Sequence, residues 1–354
     1  MPFERFMRMA LYEPGLGYYV NGLHKFGAAG DFVTAPEEGV LFGRAVAGML
    51  DDVGAALDGD WTLLELGPGS GKLARDVLLA LEHPPARCLL LEPSAPLRAV
   101  QAETLGDLPR HLARRVEWIA APPDTPFDGV VLANEVVDAL PVQRFRIARR
   151  GIEAACVTVD DGRFAWRWRA AGEALTAAVA QVLRDLPESL ADGYASEVCL
   201  MLPEWMRAVT AALGRGLALF VDYGYPRREY YHPDRSDGTL VCHYRHRAHF
   251  DPFTWPGLTD VSAFVDFTAL AEAGRHAGLD VAGFTTQAGF LLESGVGEAI
   301  ERVADDDQRL RLAGEFKRLV LPGEMGERFK VLALTRAFDA ALPGLGLSDQ
   351  TGRL

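Results

Sequence analysis

The stretch LLELGPGSGKL, residues 63–73, sets an apolar run ending in an acid against three glycines at alternate positions. Read as a turn between a buried strand and a helix, it clears side chains from a ligand's approach and permits positive φ. A phosphate-binding Walker loop needs glycine five positions before its Gly-Lys pair. Position 66 is Leu, and Leu73 follows Lys72 where Ser or Thr would hold magnesium. A dinucleotide fingerprint, G-x-G-x-x-G, would put its third glycine at 72, which is Lys. What remains is acid-x-G-x-G-x-G, formed by Glu65, Gly67, Gly69 and Gly71. As a tight turn alone it would bind nothing, so its surroundings decide.

Outward from that turn the elements alternate. LLEL (63–66) reads as a buried strand, and KLARDVLLALE (72–82) as a helix with Leu73, Val77, Leu78 and Leu81 on one face. CLLLE (88–92), VEWIA (116–120) and GVVLA (129–133) read as further strands, with PLRAVQAETL (96–105) a helix between the first two. Strand, helix, strand at this spacing means parallel pairing and right-handed crossovers, hence an α/β doubly wound sheet. From 143 to 168 alternating residues around Asp160-Asp161-Gly162 predict an inserted antiparallel hairpin, exposed enough to pair across a homodimer. Helices are expected over 173–185 and 203–213. LALFVD (217–222) resumes the parallel theme, followed by a His-, Tyr- and Pro-rich loop (223–260), helices 266–277 and 306–320, and a strand FKVLALT (329–335). The expected division is 1–60 cap and lid, 61–142 first half of the core, 143–214 insert, 215–340 second half with a substrate loop at 223–260, and 341–354 tail.

Composition narrows the partners. The chain's 354 residues carry 49 acids against 36 bases, a net charge of −13 that repels a phosphate backbone, so nucleic acid is an unsuitable partner and a basic protein or neutral small molecule a suitable one. Cys88, Cys156, Cys199 and Cys242 form no C-x-x-C pair and read as reduced core residues. The N-terminus, MPFERFMRMALYEPG, has charges where a signal peptide needs an apolar stretch. No segment holds 18 uninterrupted apolar residues, so no membrane span and a cytoplasmic location are expected.

The chemistry-bearing residues follow the strand ends, where open α/β sheets bind ligands. The glycine loop after Glu65 suits the methionine end of S-adenosylmethionine (SAM), whose ammonium a carboxylate can receive. Glu92 ends the second strand, where an acid reaches ribose hydroxyls bidentately; it serves any adenosine ribose, so NAD stays open. Alone, it is as easily a helix N-terminal acid. NEVVDALP (134–141) follows the fourth strand at the mouth of the crevice. If a helix starts there, Glu135 and Asp138 share a face beside Asn134, two carboxylates that suit a guanidinium and help a nucleophile shed its proton; the alternative is that they only complement a helix N-terminus. GDFVTAPE (30–37) reads as an extended lid offering Asp31 and the Thr34 hydroxyl across the cofactor, or as a surface loop with an Asx turn. Pro68 and Pro93, beside the glycines and Glu92, complete the cofactor-binding set. Asp222 either lines the acceptor pocket or caps a turn. His243, His246 and His249 are poorly spaced for a divalent metal, so no metal is expected; histidine's usual titration near neutrality makes His243 a candidate proton acceptor.

Together these residues make the chain resemble the MidA-like family of class I SAM-dependent methyltransferases. The likeness runs through FMRMALYEPGLGYY (6–19), GDFVTAPE, LFG (41–43), LLELGPGSGKL, NEVVDALPVQRF (134–145), VDYGY (221–225), GTLVCHYRHRAHFDPFTWPGLTDVSAFVDFTAL (238–270) and GEMGERFKVLAL (323–334). The resemblance implies a seven-stranded Rossmann-like sheet with its last strand antiparallel, elaborated by an N-terminal cap and inserted segments. It implies methyl transfer to a protein, since mitochondrial members assist respiratory complex I assembly and are associated with arginine methylation of a subunit. Against the family's GPGRGTL, Ser70 and Lys72 stand for Arg and Thr, placing a cation next to the cofactor loop; TAPEEGVLFG (34–43) departs likewise from TAPEISQ-x-FG. A metabolite methyltransferase and a SAM-binding assembly factor without turnover are the alternatives.

Overall fold

Five apolar runs become the middle of a sheet because both their faces are covered. The computed structural model describes residues 1–22, 34–346 and 348–354. Its principal sheet contains β1 (Thr62–Leu66), β2 (Arg87–Leu91), β3 (Val116–Ile119), β4 (Phe127–Asn134), β5 (Leu213–Tyr225), β6 (Asp280–Thr286) and β7 (Phe329–Arg336). Their order is β6-β7-β5-β4-β1-β2-β3, with a two-residue strand, Val265–Asp266, pairing beside β5. β1 pairs in parallel with β2 and β4, and β7 runs antiparallel to both its neighbours. This is the doubly wound seven-stranded sheet with an antiparallel last strand that the resemblance implies. The strand order reverses between β1 and β4, which opens a crevice at their carboxyl ends.

Alternation along each strand divides the core. Leu63, Leu90, Val130, Leu132, Leu219 and Val331 face one layer with the helices Leu41–Leu57, Lys72–Ala80 and Asp306–Val320. Leu64, Leu89, Val131, Phe220 and Leu332 face the other, with the helices Leu202–Thr210 and Phe267–His276. Burying both faces explains why the central strands read as unbroken apolar runs. The helix Leu41–Leu57, grouped by sequence with the cap, packs directly on the sheet.

Four antiparallel strands make up the insert, Arg163–Ala170, Gly151–Asp160, Gln143–Ala148 and Ala195–Val198 in spatial order. Asp161 and Gly162 both take positive φ, 45° and 76°, as a tight two-residue turn requires. The helix Glu173–Asp185 seals this sheet through Leu175, Val179 and Val182. The helix Phe3–Tyr12 packs Phe3, Phe6, Met7 and Leu11 against Val142, Val157 and Val261. The Met1 ammonium donates to the Val157 carbonyl at 2.8 Å, and the Val157 N–H returns a bond to Met1 at 2.7 Å.

Two local expectations are corrected. The segment 223–260 is not a plain loop: it holds the short helix Arg227–Tyr230 and the strands Val241–Tyr244 and Arg247–His249, which form a three-stranded sheet with Asp260–Ser262. No helix starts at 134. Residues 135–140 form a turn in which Glu135 has φ 52°, and the backbone N–H groups of Val136, Val137 and Asp138 donate to one oxygen, Asp222 Oδ2, at 3.2, 3.0 and 3.2 Å. A carboxylate from the neighbouring strand has taken the donors a helix's first turn would leave open. All four cysteines are free, and no helix among the described residues is long and apolar enough to cross a membrane.

Candidate functional site

The crevice at the β1/β4 reversal deepens into a cavity of about 600 Å³. Thr34, Glu65, Gly67, Pro68, Gly69, Glu92, Pro93, Asn134 and Glu135 all line it. Gly71, Asp138 and His243 are not on its wall, and Asp31 lies outside the described residues.

The loop after β1 holds its shape by positive φ at Gly67 (56°), Gly69 (56°) and Gly71 (84°). A Cβ at Gly67 would meet Val136 Cγ2 at 3.2 Å, and one at Gly71 would meet the Gln101 backbone at 3.2 Å. Alternate glycines are therefore needed both for the turn and for close neighbours. Lys72 does not face the cavity. Its ammonium bonds the Gly39 carbonyl and Asp76, while the Ser70 hydroxyl donates to Glu37 Oε1 at 2.5 Å. The cation expected next to the glycine loop is thus turned away and paired.

Glu65, at the end of β1, is buried, and its Oε2 has no hydrogen-bond partner. Burial pushes its carboxyl up to about 8. An orphaned acid in an accessible cavity wall is a receptor for a cationic ligand group. Glu92 accepts from the Ser94 N–H at 2.8 Å and from Gln101 Nε2 at 3.2 Å, and burial raises its carboxyl too. Gln101 is a site residue the sequence reading missed. Its Nε2 also donates to the Gly69 carbonyl at 3.0 Å, and its Oε1 accepts from Trp118 Nε1 at 2.9 Å. One buried amide thereby ties the glycine loop to the acid after β2. The available signal was a polar residue four positions after buried Leu97, on a helix with few other buried residues.

At the other end of the cavity, Asn134 Nδ2 donates to Glu135 Oε1 at 3.2 Å, leaving Asn134 Oδ1 without a partner. Burial first, and then the Asp138 charge, push Glu135 up to about 8; the Ala35 N–H, at the start of the 3-10 turn Ala35–Glu38 that stands where an extended segment was expected, hydrogen-bonds its carboxylate. Asp138 stands behind this wall. It accepts from the Tyr223 hydroxyl, and burial followed by the Asp260 charge raises it to about 7. Asp222 caps the 135–140 turn, which decides between its two sequence readings. Tyr12 and Tyr19 also line the cavity, their rings stacked at 5.6 Å; the Tyr12 hydroxyl donates to the Ala139 carbonyl at 2.9 Å. His243 lies off the cavity, 3.9 Å from Asp260. Among the described residues no cluster of His, Cys, Asp and Glu has a metal-holding arrangement.

These features fit SAM on structural grounds: a Cβ-free loop, an unpartnered buried carboxylate for its ammonium, and a second carboxylate for its ribose. Comparisons agree. Residues 41–285 match the model of a family described as "Putative S-adenosyl-L-methionine-dependent methyltransferase". A solved protein from Burkholderia thailandensis, bound to S-adenosyl-homocysteine, is 41% identical with a TM-score of 0.91, covering 100% of this chain and 92% of that one. "Protein arginine methyltransferase NDUFAF7, mitochondrial" from Danio rerio is 29% identical over 93% of this chain and 82% of its own length. The Homo sapiens protein of the same name is 28% identical over 93% and 78%. Both relatives are named as mitochondrial, which lends no support to the cytoplasmic location expected from the sequence.

Proposed function

The chain belongs to the family of S-adenosyl-L-methionine-dependent methyltransferases, and on that premise we propose that it methylates a guanidinium nitrogen of a protein arginine. The observation that carries the reading is the excess of acids on the cavity wall, which ionise as a cation arrives. Among the described residues four glutamates line it, Glu37, Glu65, Glu92 and Glu135, against one arginine, Arg8, which pairs with Glu4. Such a wall favours cations at both ends: the cofactor at one, a guanidinium at the other. The relatives named as arginine methyltransferases support the same acceptor.

SAM supplies an electrophilic methyl group on a positively charged sulfur. The main chain at Gly67, Gly69 and Gly71 would admit it, with Pro68 and Pro93 beside. Glu65 would hold its ammonium and Glu92 its ribose hydroxyls, while Thr34 and Asn134 would supply further polar contacts. Glu135, held by Asn134 and the Ala35 N–H, would receive the guanidinium. The arriving cation favours the ionised carboxylate, so Glu135 releases a proton as it binds and then fixes the nitrogen for in-line attack. Asp138 adds negative charge from behind. The complex I assembly role implied by the resemblance would make the acceptor a respiratory-complex subunit, and the net charge of −13 suits a basic one. The open edge strand Arg163–Ala170 is where a second copy would pair, which light scattering would show as a dimer.

The test is methyl transfer from isotope-labelled SAM to arginine-bearing polypeptides, with the modified residue mapped by mass spectrometry. Glu135→Gln should bind S-adenosyl-homocysteine within about threefold of wild type yet lose ~100-fold or more in kcat. Label appearing only on metabolites would favour the small-molecule alternative, and full activity of Glu135→Gln would remove that residue from the mechanism.

A further inference from the structure

A buried chain of polar side chains runs from the cavity toward solvent and is not used by the mechanism above. Tyr19 lines the cavity, and its hydroxyl donates to Asp260 Oδ1 at 3.0 Å. Asp260 sits on the edge strand Asp260–Ser262 and is almost wholly buried; the Ser262 hydroxyl donates to its Oδ2 at 2.7 Å. His243 lies directly across the antiparallel ladder from Asp260, so the two side chains share one face. The His243 Nδ1 is 3.9 Å from Asp260 Oδ2, and its ring is 28% exposed against 4% for the aspartate. The order is therefore cavity wall, buried acid, half-exposed imidazole.

We propose that Tyr19, Asp260 and His243 form the exit route for the proton displaced when an acceptor nitrogen is methylated. The proposal rests on the reading of the site as a nitrogen methyltransferase. A guanidinium that gains a methyl must lose one N–H proton to keep a single positive charge. As the new N–C bond forms, the methyl–sulfur pair stays on sulfur, and one proton must leave. The nitrogen's proton passes to Tyr19 Oη while the Tyr19 proton moves to Asp260 Oδ1. The protonated Asp260 carboxyl then turns its O–H toward His243 and gives that proton to Nδ1 of the Nε2–H imidazole; the imidazolium sheds one proton to water and relaxes to the same tautomer, so both groups return to their starting states. The 3.9 Å gap closes by a small ring rotation, since relay contacts are often long before substrate binds.

The surroundings suit this order. Burial, then the charges of Asp260 and Asp138, hold the Tyr19 hydroxyl well above its ordinary value. Tyr19 therefore hands a proton on as it receives one and does not rest as a phenolate. Tyr12, stacked on Tyr19 and anchored at the Ala139 carbonyl, fixes the ring. Around His243 stand Tyr244, Arg245 and His246 on its own strand and turn, Arg247 and His249 on one neighbouring strand, and Asp260 on the other. By the register Arg247 and His249 face the other side of this small sheet, so Asp260 is the charged group that shares the His243 face across the ladder.

The test uses the full chain with Tyr19→Phe, His243→Gln and Asp260→Asn. Tyr19→Phe should bind S-adenosyl-homocysteine within about threefold of wild type, keep KM for the acceptor, and lose ~10- to 100-fold in kcat. His243→Gln should change the shape of the kcat pH profile, with added imidazole restoring a large part of kcat. A readout apart from turnover is nitrogen NMR of the His243 ring in the cofactor-free protein. It should show the ring protonated at Nε2 with Nδ1 facing Asp260 as the acceptor, a tautomer balance that changes in Asp260→Asn. The route is overturned if Tyr19→Phe and His243→Gln keep wild-type kcat and pH profile, or if the His243 ring shows no such tautomer balance. A wild-type protein that methylates another nitrogen in place of arginine sinks only the acceptor reading, and the same variants then test the route on that acceptor.

Discussion

In a Glu65→Gln variant the buried acid of the cofactor end is replaced by an uncharged side chain of the same shape. Glu65 is 2% exposed, has an unpartnered Oε2, and titrates at about 8 in the folded protein against an ordinary 4.5. Because the folded value is the higher one, the group costs nothing below pH 4.5, where both states are protonated. The cost grows as pH rises, because the unfolded chain ionises first, and it levels off above about 8. At ~1.36 kcal/mol per tenfold change in proton affinity the full penalty is on the order of 5 kcal/mol. The new amide has donors of its own to satisfy, so Glu65→Gln should recover only part, ~1–3 kcal/mol at pH 8, and nothing at pH 4. Affinity should move the other way. Leaving the ligand's ammonium without its carboxylate costs ~2–5 kcal/mol, or roughly 30- to 5,000-fold in Kd. The two effects share one proton. At pH 7 a carboxyl titrating near 8 is about 90% protonated, so ligand binding should expel close to one proton from Glu65. Isothermal titration with S-adenosyl-homocysteine in buffers of different ionisation enthalpy counts that proton, and denaturant melts at pH 4 and 8 measure the stability change. Wild-type affinity in the variant, or equal proton release in both proteins, would refute the assignment of Glu65 to the ammonium.

Gly67→Ala places a Cβ at φ 56° and 3.2 Å from Val136 Cγ2, so it should cost ~1–2 kcal/mol in a melt and weaken S-adenosyl-homocysteine binding by calorimetry. Asp222→Ala strips the N–H groups of Val136, Val137 and Asp138 of their shared acceptor. Relief of a buried acid offsets part of that loss, and a net ~2–4 kcal/mol drop in unfolding free energy is expected; an unchanged denaturation midpoint would contradict it. Lys72→Ala should leave S-adenosyl-homocysteine affinity within about threefold, because that ammonium faces Gly39 and Asp76.

The sheet could be read from the chain because its central strands are covered on both faces, so continuous apolar runs such as CLLLE and GVVLA mark them directly. β6 escaped, since Asp280–Thr286 carries a glycine and a register shift at Val281/Gly283 and starts exposed. The helix Leu41–Leu57 escaped for the opposite reason: it is mostly apolar, and its narrow exposed side at 44, 48, 52 and 55 includes Gly48 and Ala55, so few polar residues mark it. At the site, the glycine spacing and the strand-end acids were legible because they are local. The turn at 135–140 was not, because the acceptor for its N–H groups lies 84 to 86 residues away on β5. Gln101 and Asp260 were hidden in the same way: neither is singled out by spacing or residue type, and each gains its place only from partners brought together by folding.

The left-handed backbone at Glu135 sets two demands on one position. Glycine or asparagine would sit there more easily, and a long acid gives up roughly 1 kcal/mol to occupy it. If Glu135 receives the acceptor as proposed, a laboratory population bred for heat tolerance alone would drift toward glycine at 135 and grow hardier while turning inert; the acid would then be kept at the fold's expense for the cation it meets.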